Sequence, residues 1–405
     1  MVHYNDIKFD CRLYTGYKPC IYGNECPGCV YYEPWVPEQA GWRPGDLERA
    51  PLDNLPPAAR ILIIKTGALG DVLRTTTLLH PLKRRYPDCH ITWLTAPGAM
   101  PLLQGNPFIS NLLPLTEEVA ISLRGAEFDA LICLEKEGEA MAMAAEVTAA
   151  RHAGYWPTPW NTAAIANAES VTMLELGVSD EMKFHVNTKS YPHLICDAVG
   201  LEFRRDSYIL ELSARSRLAY NALKRRIALE GRGDLPVVGL NTGCGAVFRT
   251  KQWTLEGWTQ TARTLVEGGL ANVVLMGGQA EEELNRAIMA AVPAVVDSGT
   301  DNPLEEFFGI VEACDTVVSS DSLGMHVAIA REKPVVALFG STSHVEIDLY
   351  DRGEKVITDF SCSPCYLKTC DKVPTCMEAM GAGQVTAAVG RALDDLRRKL
   401  QLKRL

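Results

Sequence analysis

The stretch 317-VVSSDSLGMHVAIAREKPVVALFGST-342 decides the fold, because it joins two strand-like runs through a polar turn and a helix. Its β-branched runs are typical of buried strands, and the helix begins directly after Asp321 and Ser322. Such a turn directs backbone N–H groups and the positive end of a helix dipole beyond the strand. The stretch therefore predicts a strand–turn–helix unit with a site for a phosphorylated ligand.

A second unit of the same kind lies earlier in the chain, at 61-ILIIKTGALGDVLRTT-76. It is again a buried-strand run, a glycine-containing turn and a helix, and the helix carries an acid, Asp71, at its start. Ligands of such folds bind beyond the carboxyl ends of the strands. The two units predict two nucleotide-binding domains that face one cleft.

Length and composition indicate a soluble globular protein of two domains. The 405 residues exceed one ordinary core and suit two domains of about 150 residues with appendages. Hydrophobic residues make up 47% of the chain and charged residues 22%, and the net charge of −10 is spread along it, so we expect no nucleic-acid partner. The absence of a long apolar run and of a signal-peptide pattern predicts a cytoplasmic location.

Eight of the 13 cysteines fall into two clusters. Thiols in a reducing compartment favour metal binding over disulfides, and four of them suffice for tetrahedral zinc or an iron–sulfur cluster. We therefore predict a structural zinc, iron or iron–sulfur site in the C-terminal cluster and a second, looser site in the N-terminal one, with packed free thiols as the alternative. The clusters are Cys362, Cys365, Cys370 and Cys376, and Cys11, Cys20, Cys26 and Cys29.

The order of patterns along the chain predicts an α/β organisation. Residues 1–58 are rich in Pro, Gly, aromatic residues and Cys and predict a wrapped or metal-stapled extension. Strands then alternate with helices, which predicts parallel sheets with right-handed crossovers. The predicted domains are 59–213 and 214–383, followed by a C-terminal helix at 384–405.

Within the domains, the periodicity predicts single helices over 70–86 and 136–149. It also predicts strands over 151–155 and 294–297. Residues 157–190 are less regular and are expected to carry acceptor contacts or a helical hairpin.

Five motifs occur in series: KTGALGDVLRTTTLLHPLKRRYP, NTGCGAVFRTKQW, LMGGQAEE, SSDSLGMHVA and the CxxC-containing tail. In order and spacing they resemble glycosyltransferase family nine, the ADP-heptose-dependent heptosyltransferases of lipopolysaccharide core synthesis. The resemblance implies a GT-B fold of two Rossmann-like doubly wound domains, with the donor nucleotide held mainly by the C-terminal one. It also implies an inverting transfer of heptose from ADP-heptose that needs no cofactor for its chemistry.

Asp71 is the candidate catalytic base. Sugar transfer needs a base to deprotonate the acceptor hydroxyl and compensation of the charge that develops on the departing diphosphate. Asp71 matches the position at which the family places its base. The alternative is an acid that caps the helix, and the two roles are compatible.

Residues of the second domain are the candidate donor site. Lys251 is expected to reach the β-phosphate as a point charge, and the residues that open the last helix to offer N–H groups to phosphate oxygens. The turn at Met276–Gly278 is assigned to adenosine, with Glu281 or Glu282 on the ribose hydroxyls or, alternatively, satisfying the helix dipole. The predicted donor residues are Thr242, Gly243, Lys251, Met276, Gly277, Glu281, Asp321, Ser322, Leu323, Gly324 and His326.

The identity of the sugar and of the acceptor stays open at this point. Leu323 stands where the family usually has a small residue, a departure that bears on donor fit. The resemblance implies a lipopolysaccharide core or a related surface glycan as acceptor, with peripheral contact to the inner face of the cytoplasmic membrane. Protein O-heptosylation, or use of another nucleotide-activated sugar, is the alternative.

Two other classes are disfavoured. A NAD-dependent dehydrogenase would need an intact GxGxxG turn, which neither strand–turn–helix unit has. A non-catalytic nucleotide-sugar or metal-binding partner would have no use for Asp71, Lys251 and Asp321 together.

Overall fold

The computed structural model describes residues 2–16, 26–47, 52–231, 233–245 and 247–402, with residues 399–402 in backbone only. Cys20 of the predicted N-terminal metal site lies outside the described residues. The chain divides into two compact units, Met1–Ile209 and Leu210–Leu405. None of the described helices is long and apolar enough to cross a lipid bilayer.

The first unit is built on a six-stranded sheet in the order β3-β2-β1-β4-β5-β6. Only the pairing of β5 with β6 is antiparallel. Central strand β1 is buried on both faces after its first residue, as its Ile-Leu-Ile-Ile run predicts. The strands are β1 (Arg60–Ile64), β2 (His90–Thr95), β3 (Asn111–Pro114), β4 (Glu127–Cys133), β5 (Thr148–Pro157) and β6 (Ala163–Ile165).

Among the described residues of this unit, seven α-helices accompany the sheet. Among them, α1 follows β1 and α5 follows β4, so both begin beyond the carboxyl ends of adjacent parallel strands. The helices are α1 (Leu69–Thr75), α2 (Leu79–Arg85), α3 (Met100–Leu103), α4 (Glu117–Leu123), α5 (Gly138–Glu146), α6 (Val171–Val178) and α7 (Tyr191–Ala198).

The second unit is built on a parallel six-stranded sheet in the order β12-β11-β10-β7-β8-β9. Its strands are β7 (Val237–Asn241), β8 (Asn272–Met276), β9 (Val296–Asp297), β10 (Thr316–Ser320), β11 (Val335–Phe339) and β12 (Gly353–Ile357). Its helices are α8 (Ala214–Glu230), α9 (Leu255–Glu267), α10 (Glu282–Ala291), α11 (Leu304–Glu312), α12 (Leu323–Ala330) and α13 (Ala382–Leu402).

Both sheets have the Rossmann strand order, in which the first and fourth strands of each sheet are neighbours at its centre. The chain leaves these two strands in opposite directions along the sheet, and the crevice between the diverging connections is the usual ligand site. The switch points are β1–β4 in the first unit and β7–β10 in the second. The predicted sites should therefore lie at these two places.

The predicted helix over 70–86 is wrong in one respect, because a 3₁₀ turn at Thr76–Leu78 separates α1 from α2. The three consecutive threonines explain the break. The hydroxyls of Thr75, Thr76 and Thr77 donate to carbonyl oxygens three or four residues earlier, and such bonds compete with the helical ones.

Other predicted boundaries also shift. The helix predicted over 136–149 is shorter in the structure, because α5 ends at Glu146. The strand predicted over 151–155 is longer, because β5 already begins at Thr148. The predicted strand 294–297 contracts to two residues, Val296–Asp297. The irregular segment 157–190 contains β6 and α6, while α4, α7 and β12 were not predicted.

The N-terminal extension packs against the first unit by a few buried side chains. Phe9 and Tyr14 are buried and make an edge-to-face ring contact. The Tyr14 hydroxyl donates to the Ala163 carbonyl oxygen in β6, at 2.7 Å. Further along, Lys136, just after β4, donates from Nζ to the Gly16 carbonyl oxygen at 2.8 Å. The described part of the extension is thus bound to the β5–β6 side of the sheet.

Candidate functional site

A buried ion pair joins the carboxyl ends of β1 and β4 at the first switch point. Lys65 Nζ lies 3.0 Å from Glu135 Oε2, and both side chains are 6% exposed. The same oxygen accepts bonds from the backbone N–H groups of Thr66, at 3.2 Å, and Gly67, at 3.0 Å. Glu135 therefore fixes the turn that leads from β1 into α1, the helix that carries Asp71.

The electrostatics of this pair keep both groups charged. Burial disfavours the charged form of Glu135, but the Lys65 ammonium and donated hydrogen bonds outweigh it, so the pKa of Glu135 is lowered. Burial likewise disfavours the Lys65 ammonium, but Tyr191, Glu135 and Asp71 outweigh it and raise the pKa of Lys65. The turn is thus held by a salt bridge throughout the neutral range.

Asp71 lies in the first turn of α1, but it does not cap the helix. The N-cap position is occupied by Ala68. The Asp71 carboxylate pairs with Arg74 at 2.9 Å, and its side chain keeps 35% exposure. Arg74 is itself buried, with its guanidinium 3.8 Å from the centre of the Tyr191 ring. The geometry presents a partly accessible carboxylate oriented by a fixed cation.

Asn241 connects the turns at the second switch point. Its Nδ2 atom lies 3.1 Å from the Gly243 carbonyl oxygen, 2.9 Å from Ser319 Oγ and 3.0 Å from Ser322 Oγ. A Cβ atom at Gly324 would stand 2.7 Å from the Asn241 side chain. The first turn of α12 therefore approaches β7 as closely as glycine allows.

Three of the predicted donor residues meet beside this turn. Lys251 Nζ donates to the Asp321 carbonyl oxygen at 2.6 Å and lies 3.9 Å from the Asp321 carboxylate. Nε2 of the buried His326 ring lies 4.0 Å from the other oxygen of that carboxylate, Oδ1. Lys251, Asp321 and His326 thus form one polar cluster at the carboxyl ends of β7 and β10.

The N-terminus of α12 borders the same cluster. Ser322 is the N-cap residue with extended backbone, but its side chain makes no capping bond to the helix. Its hydroxyl is engaged with Asn241 and Ser319 instead. Leu323 and Gly324 form the first turn, whose backbone N–H groups have no partner within a helix. This arrangement suits an anionic group.

The residues of the turn predicted to bind adenosine differ in how they contribute to the site. Gly278 and Glu281 line a cavity of about 150 Å³, together with Arg249. Glu281 accepts a hydrogen bond from the Gly278 N–H at 3.0 Å, so its carboxylate also satisfies a backbone donor where the helical segment begins. A Cβ atom at Gly243 would come within 3.1 Å of the Glu281 carboxylate, and one at Gly277 within 3.0 Å of its Cβ. The glycines therefore let Glu281 fold back toward β7.

Three of the predicted contacts point elsewhere. The buried Thr242 hydroxyl lies 2.7 Å from Asn285 Oδ1 and 3.0 Å from the Met276 carbonyl oxygen, so its hydrogen bonds are made within the protein interior. Met276 is fully buried at the end of β8. Glu282 is exposed and pairs with Arg286 at 2.6 Å. Thr242 and Met276 thus support the turn from the interior, whereas Glu282 faces solvent.

Sequence reasoning missed four polar residues of these two places. Lys65 and Asn241 are the first polar side chains after the apolar runs of β1 and β7, and Glu135 holds the same position after β4. That pattern was available as a signal. Arg249 sits in a loop, and nothing in its local sequence distinguishes it.

The C-terminal cysteines lie on a segment that contacts the donor turn. The N–H groups of Cys365 and Tyr366 donate to the Ser341 carbonyl oxygen, at 3.0 and 2.8 Å. Thr250, beside Lys251, donates to the Leu367 carbonyl oxygen at 2.7 Å. We name residues 362–376 the cysteine tail. It is anchored to the end of β11 and to the loop that carries Lys251.

The described cysteines of each cluster lie near one another. Burial, followed by the nearby thiols of Cys365, Cys370 and Cys362, raises the pKa of Cys376. Cys11, Cys26 and Cys29 line one small cavity of the extension. In the described part of the chain, no three His, Cys, Asp or Glu side chains are arranged to hold a metal ion. Both metal sites stay predictions.

Residues 121–375 match glycosyltransferase family 9 (heptosyltransferase). The chain belongs to this family, which confirms the resemblance found in the sequence. Lipooligosaccharide heptosyltransferase 2 of Haemophilus influenzae is 25% identical over 312 residues, which cover 70% of this chain and 84% of that protein. The chain is thus a glycosyltransferase.

Solved structures agree on the fold. A family 9 glycosyltransferase from Veillonella parvula superposes with a TM-score of 0.67 at 19% identity, covering 84% of this chain and 98% of that one. TibC of Escherichia coli, an iron-containing dodecameric heptosyltransferase solved with ADP-D-β-D-heptose, gives a TM-score of 0.53 at 14% identity and covers 84% and 78%. The predicted GT-B fold of two Rossmann-like domains is confirmed.

Proposed function

We propose that this glycosyltransferase moves a heptose from ADP-heptose to a hydroxyl of a lipopolysaccharide core. The cluster of Lys251, Asp321 and His326 at the second switch point carries the proposal. It combines a cation, a helix start without a side-chain cap and a histidine around Asp321: Lys251 donates to the Asp321 carbonyl oxygen at 2.6 Å, and the His326 ring lies 4.0 Å from the Asp321 carboxylate. Family membership and the heptosyltransferase relative support the choice of sugar.

On the donor side, these groups serve the departing diphosphate. As the bond between the anomeric carbon and the phosphate oxygen breaks, that oxygen keeps the electron pair and ADP leaves as an anion. The Lys251 ammonium and the N–H groups at the start of α12 compensate the growing charge, an interaction that strengthens in the transition state. The cavity lined by Gly278, Glu281 and Arg249 is our candidate for the nucleoside.

On the acceptor side, Asp71 takes the proton of the attacking hydroxyl. The hydroxyl oxygen then forms the new bond to the anomeric carbon, on the face opposite the leaving ADP, which inverts the configuration. Arg74 orients the carboxylate and Glu135 fixes the preceding turn. Neither step requires a metal ion or a redox cofactor.

The decisive experiment supplies ADP-heptose with one of three acceptors: a heptose-deficient lipopolysaccharide core, a purified protein rich in exposed serine and threonine hydroxyls, or none. We expect ADP release that depends on the lipopolysaccharide core, with heptose recovered in the glycolipid. Heptose recovered on the protein instead would replace the glycolipid with a protein acceptor. Turnover only with another sugar nucleotide would overturn the donor assignment.

We further propose that the cysteine tail binds a structural zinc ion, iron ion or iron–sulfur cluster. The thiols of Cys362, Cys365 and Cys370 lie near that of Cys376, and the tail contacts the loop that carries Lys251. TibC, a similar fold, is an iron-containing enzyme. A metal bound by these thiolates would supply folding free energy to a segment with little apolar surface.

The place of action follows from the acceptor. A lipopolysaccharide precursor is a glycolipid, so we propose a cytoplasmic enzyme that meets it at the inner face of the cytoplasmic membrane. Separation of cells into membrane and cytosol, with and without accumulated precursor, tests this location.

A further inference from the structure

One cavity of the first unit is not used by the proposed reaction. It has a volume of about 680 Å³ and lies between the extension segment 42–47, helix α5 and the β5–β6 hairpin. Small-molecule sites usually have volumes of about 300–1,000 Å³, so one or two sugar rings would fit. Its walls include Trp42, Asp46, His152, Trp156 and Asn161.

Two tryptophan rings of the lining are each braced by a second aromatic ring. Trp42 packs edge-to-face on Trp160, with ring centres 5.5 Å apart. Trp156 packs in the same way on His152, at 4.4 Å. Braced indole rings lose little entropy when a ligand packs on them, and the C–H face of a pyranose is an apolar surface of similar size. The rings are thus suited to sugar stacking.

The charge of the lining narrows the ligand class. Among the described residues that line the cavity there is one carboxylate, Asp46, and no lysine or arginine. Phosphate and carboxylate ligands are normally met by such cations. Asp46, His152 and Asn161 offer hydrogen-bonding groups of the kind that recognise hydroxyls. A neutral polyhydroxylated ligand therefore fits better than a nucleotide or an acidic sugar.

The cavity is connected to the turn that carries Glu135. Asn161 Nδ2 donates to the Gly138 carbonyl oxygen at 2.9 Å, and Gly138 begins α5 directly after that turn. Segment 42–47 lies outside the part of the chain that matches family 9, which starts at residue 121. The cavity is therefore attached to the acceptor-side turn but is partly built by the extension.

We propose that this cavity binds a neutral sugar unit of the acceptor glycan, at a position other than the one that reacts. The inference rests on the proposed function, because it assigns the sugar to the acceptor. Its role is to anchor a longer glycan through Trp42 and Trp156, with the extension acting as a specificity element.

Binding is tested without turnover. The full-length protein, saturated with ADP, is titrated with the methyl glycosides of mannose, glucose, galactose and heptose, and saturation-transfer NMR records contact. We expect at least one glycoside to bind, and Trp42→Ala and Trp156→Ala each to weaken that binding about tenfold or more. The control is Trp35→Ala, since Trp35 is an exposed tryptophan of the same extension that packs on Arg12.

A further variant keeps the test valid if the tryptophan variants misfold. Ala145 is exposed on α5 and lines the cavity, so Ala145→Trp fills the space without changing the core. It should abolish glycoside binding and leave ADP affinity unchanged. No binding by any of the four glycosides, or equal binding by the parent and the filled variant, would overturn the proposal.

The two proposals fail separately. Inactivity with ADP-heptose alongside glycoside binding that depends on Trp156 would refute the proposed reaction and leave a sugar site. Transfer to the lipopolysaccharide core with a KM that Ala145→Trp does not change would refute the sugar site in the cavity and leave the proposed reaction intact.

Discussion

Lys251 donates a hydrogen bond from Nζ to the backbone carbonyl oxygen of Asp321 across 2.6 Å. The contact joins the loop after β7 to the turn after β10, the two strands that meet at the switch point of the second sheet. An ammonium has three hydrogens, so this bond fixes the side chain while leaving donors for a phosphate. The relationship explains why two motifs far apart in sequence belong to one site.

Replacing Lys251 should weaken both donor binding and turnover. We expect Lys251→Ala to lose about 1.5–3 kcal/mol of ADP affinity, as for other hydrogen bonds to charged groups. Its effect on kcat/KM should be larger, because the contact strengthens as charge develops. The matched control is Lys333→Ala, because the Lys333 side chain likewise donates to a backbone carbonyl oxygen, that of Glu312. Equal ADP affinity of Lys251→Ala and the parent in a calorimetric titration would remove Lys251 from the site.

Asp71 should matter for chemistry and little for donor binding. We expect Asp71→Asn and Asp71→Ala to cut turnover by about 10²–10⁴ with ADP affinity nearly unchanged, since a base acts on the acceptor hydroxyl. The control is Asp53→Asn, which breaks an exposed pair with Arg85 in the same unit. Steady-state kinetics measure the effect. Near-parental turnover by Asp71→Asn would exclude it as the base.

Glu135 should stabilise the protein in a pH-dependent way. We expect Glu135→Ala to cost about 3–5 kcal/mol, because it leaves the buried Lys65 charge uncompensated. Since the pKa of Glu135 is lowered on folding, its stabilisation is present above its unfolded pKa of about 4.3 and is lost as the pH falls through the lower folded value.

Urea unfolding of the parent and Glu135→Gln at several pH values tests this linkage. The difference in the free energy of unfolding should be largest near neutrality and shrink below about pH 4. Glu33→Gln, at an exposed pair with Arg12, should change stability by less than about 1 kcal/mol. A difference between parent and Glu135→Gln that does not vary with pH would contradict a charged Glu135.

The cysteine tail should carry a metal. Protein purified without oxygen should contain about one zinc, iron or iron–sulfur cluster at the C-terminal site by elemental analysis. Cys362→Ser and Cys365→Ser should lower the melting temperature more than they lower kcat per folded molecule, whereas Ser361→Ala, an exposed neighbour, should do neither. Absence of stoichiometric metal, with every thiol of the tail titratable, would contradict the site.

The sequence was sufficient to predict the fold because strand and helix patterns alternate with regular spacing. The buried runs at 61–64 and 335–339 are apolar on both faces, as central parallel strands must be. Predictions failed where side chains compete locally with the backbone, as at Thr75–Thr77, or where an edge strand such as β12 is only half-buried.

The site was predicted in part for a related reason. Lys251, Asp321 and His326 belong to motifs, and the structure brings them together. Glu135 and Asn241 follow apolar strand runs, which is a local signal for a polar residue at the end of a strand, but the distant residues that they contact are set by the tertiary fold. Thr242 was predicted to face the ligand, but its hydroxyl is directed to Asn285, because the face on which a turn residue lies depends on tertiary packing.

The most direct test of the account is transfer itself: the full-length protein, ADP-heptose and a heptose-deficient lipopolysaccharide core, with ADP and the glycolipid product both quantified. The account predicts ADP and heptosylated core in equal amounts, with neither formed by Asp71→Asn at a comparable rate. Two results would contradict it: ADP release without formation of a heptosylated glycan, or no transfer to any glycan by folded protein that binds ADP.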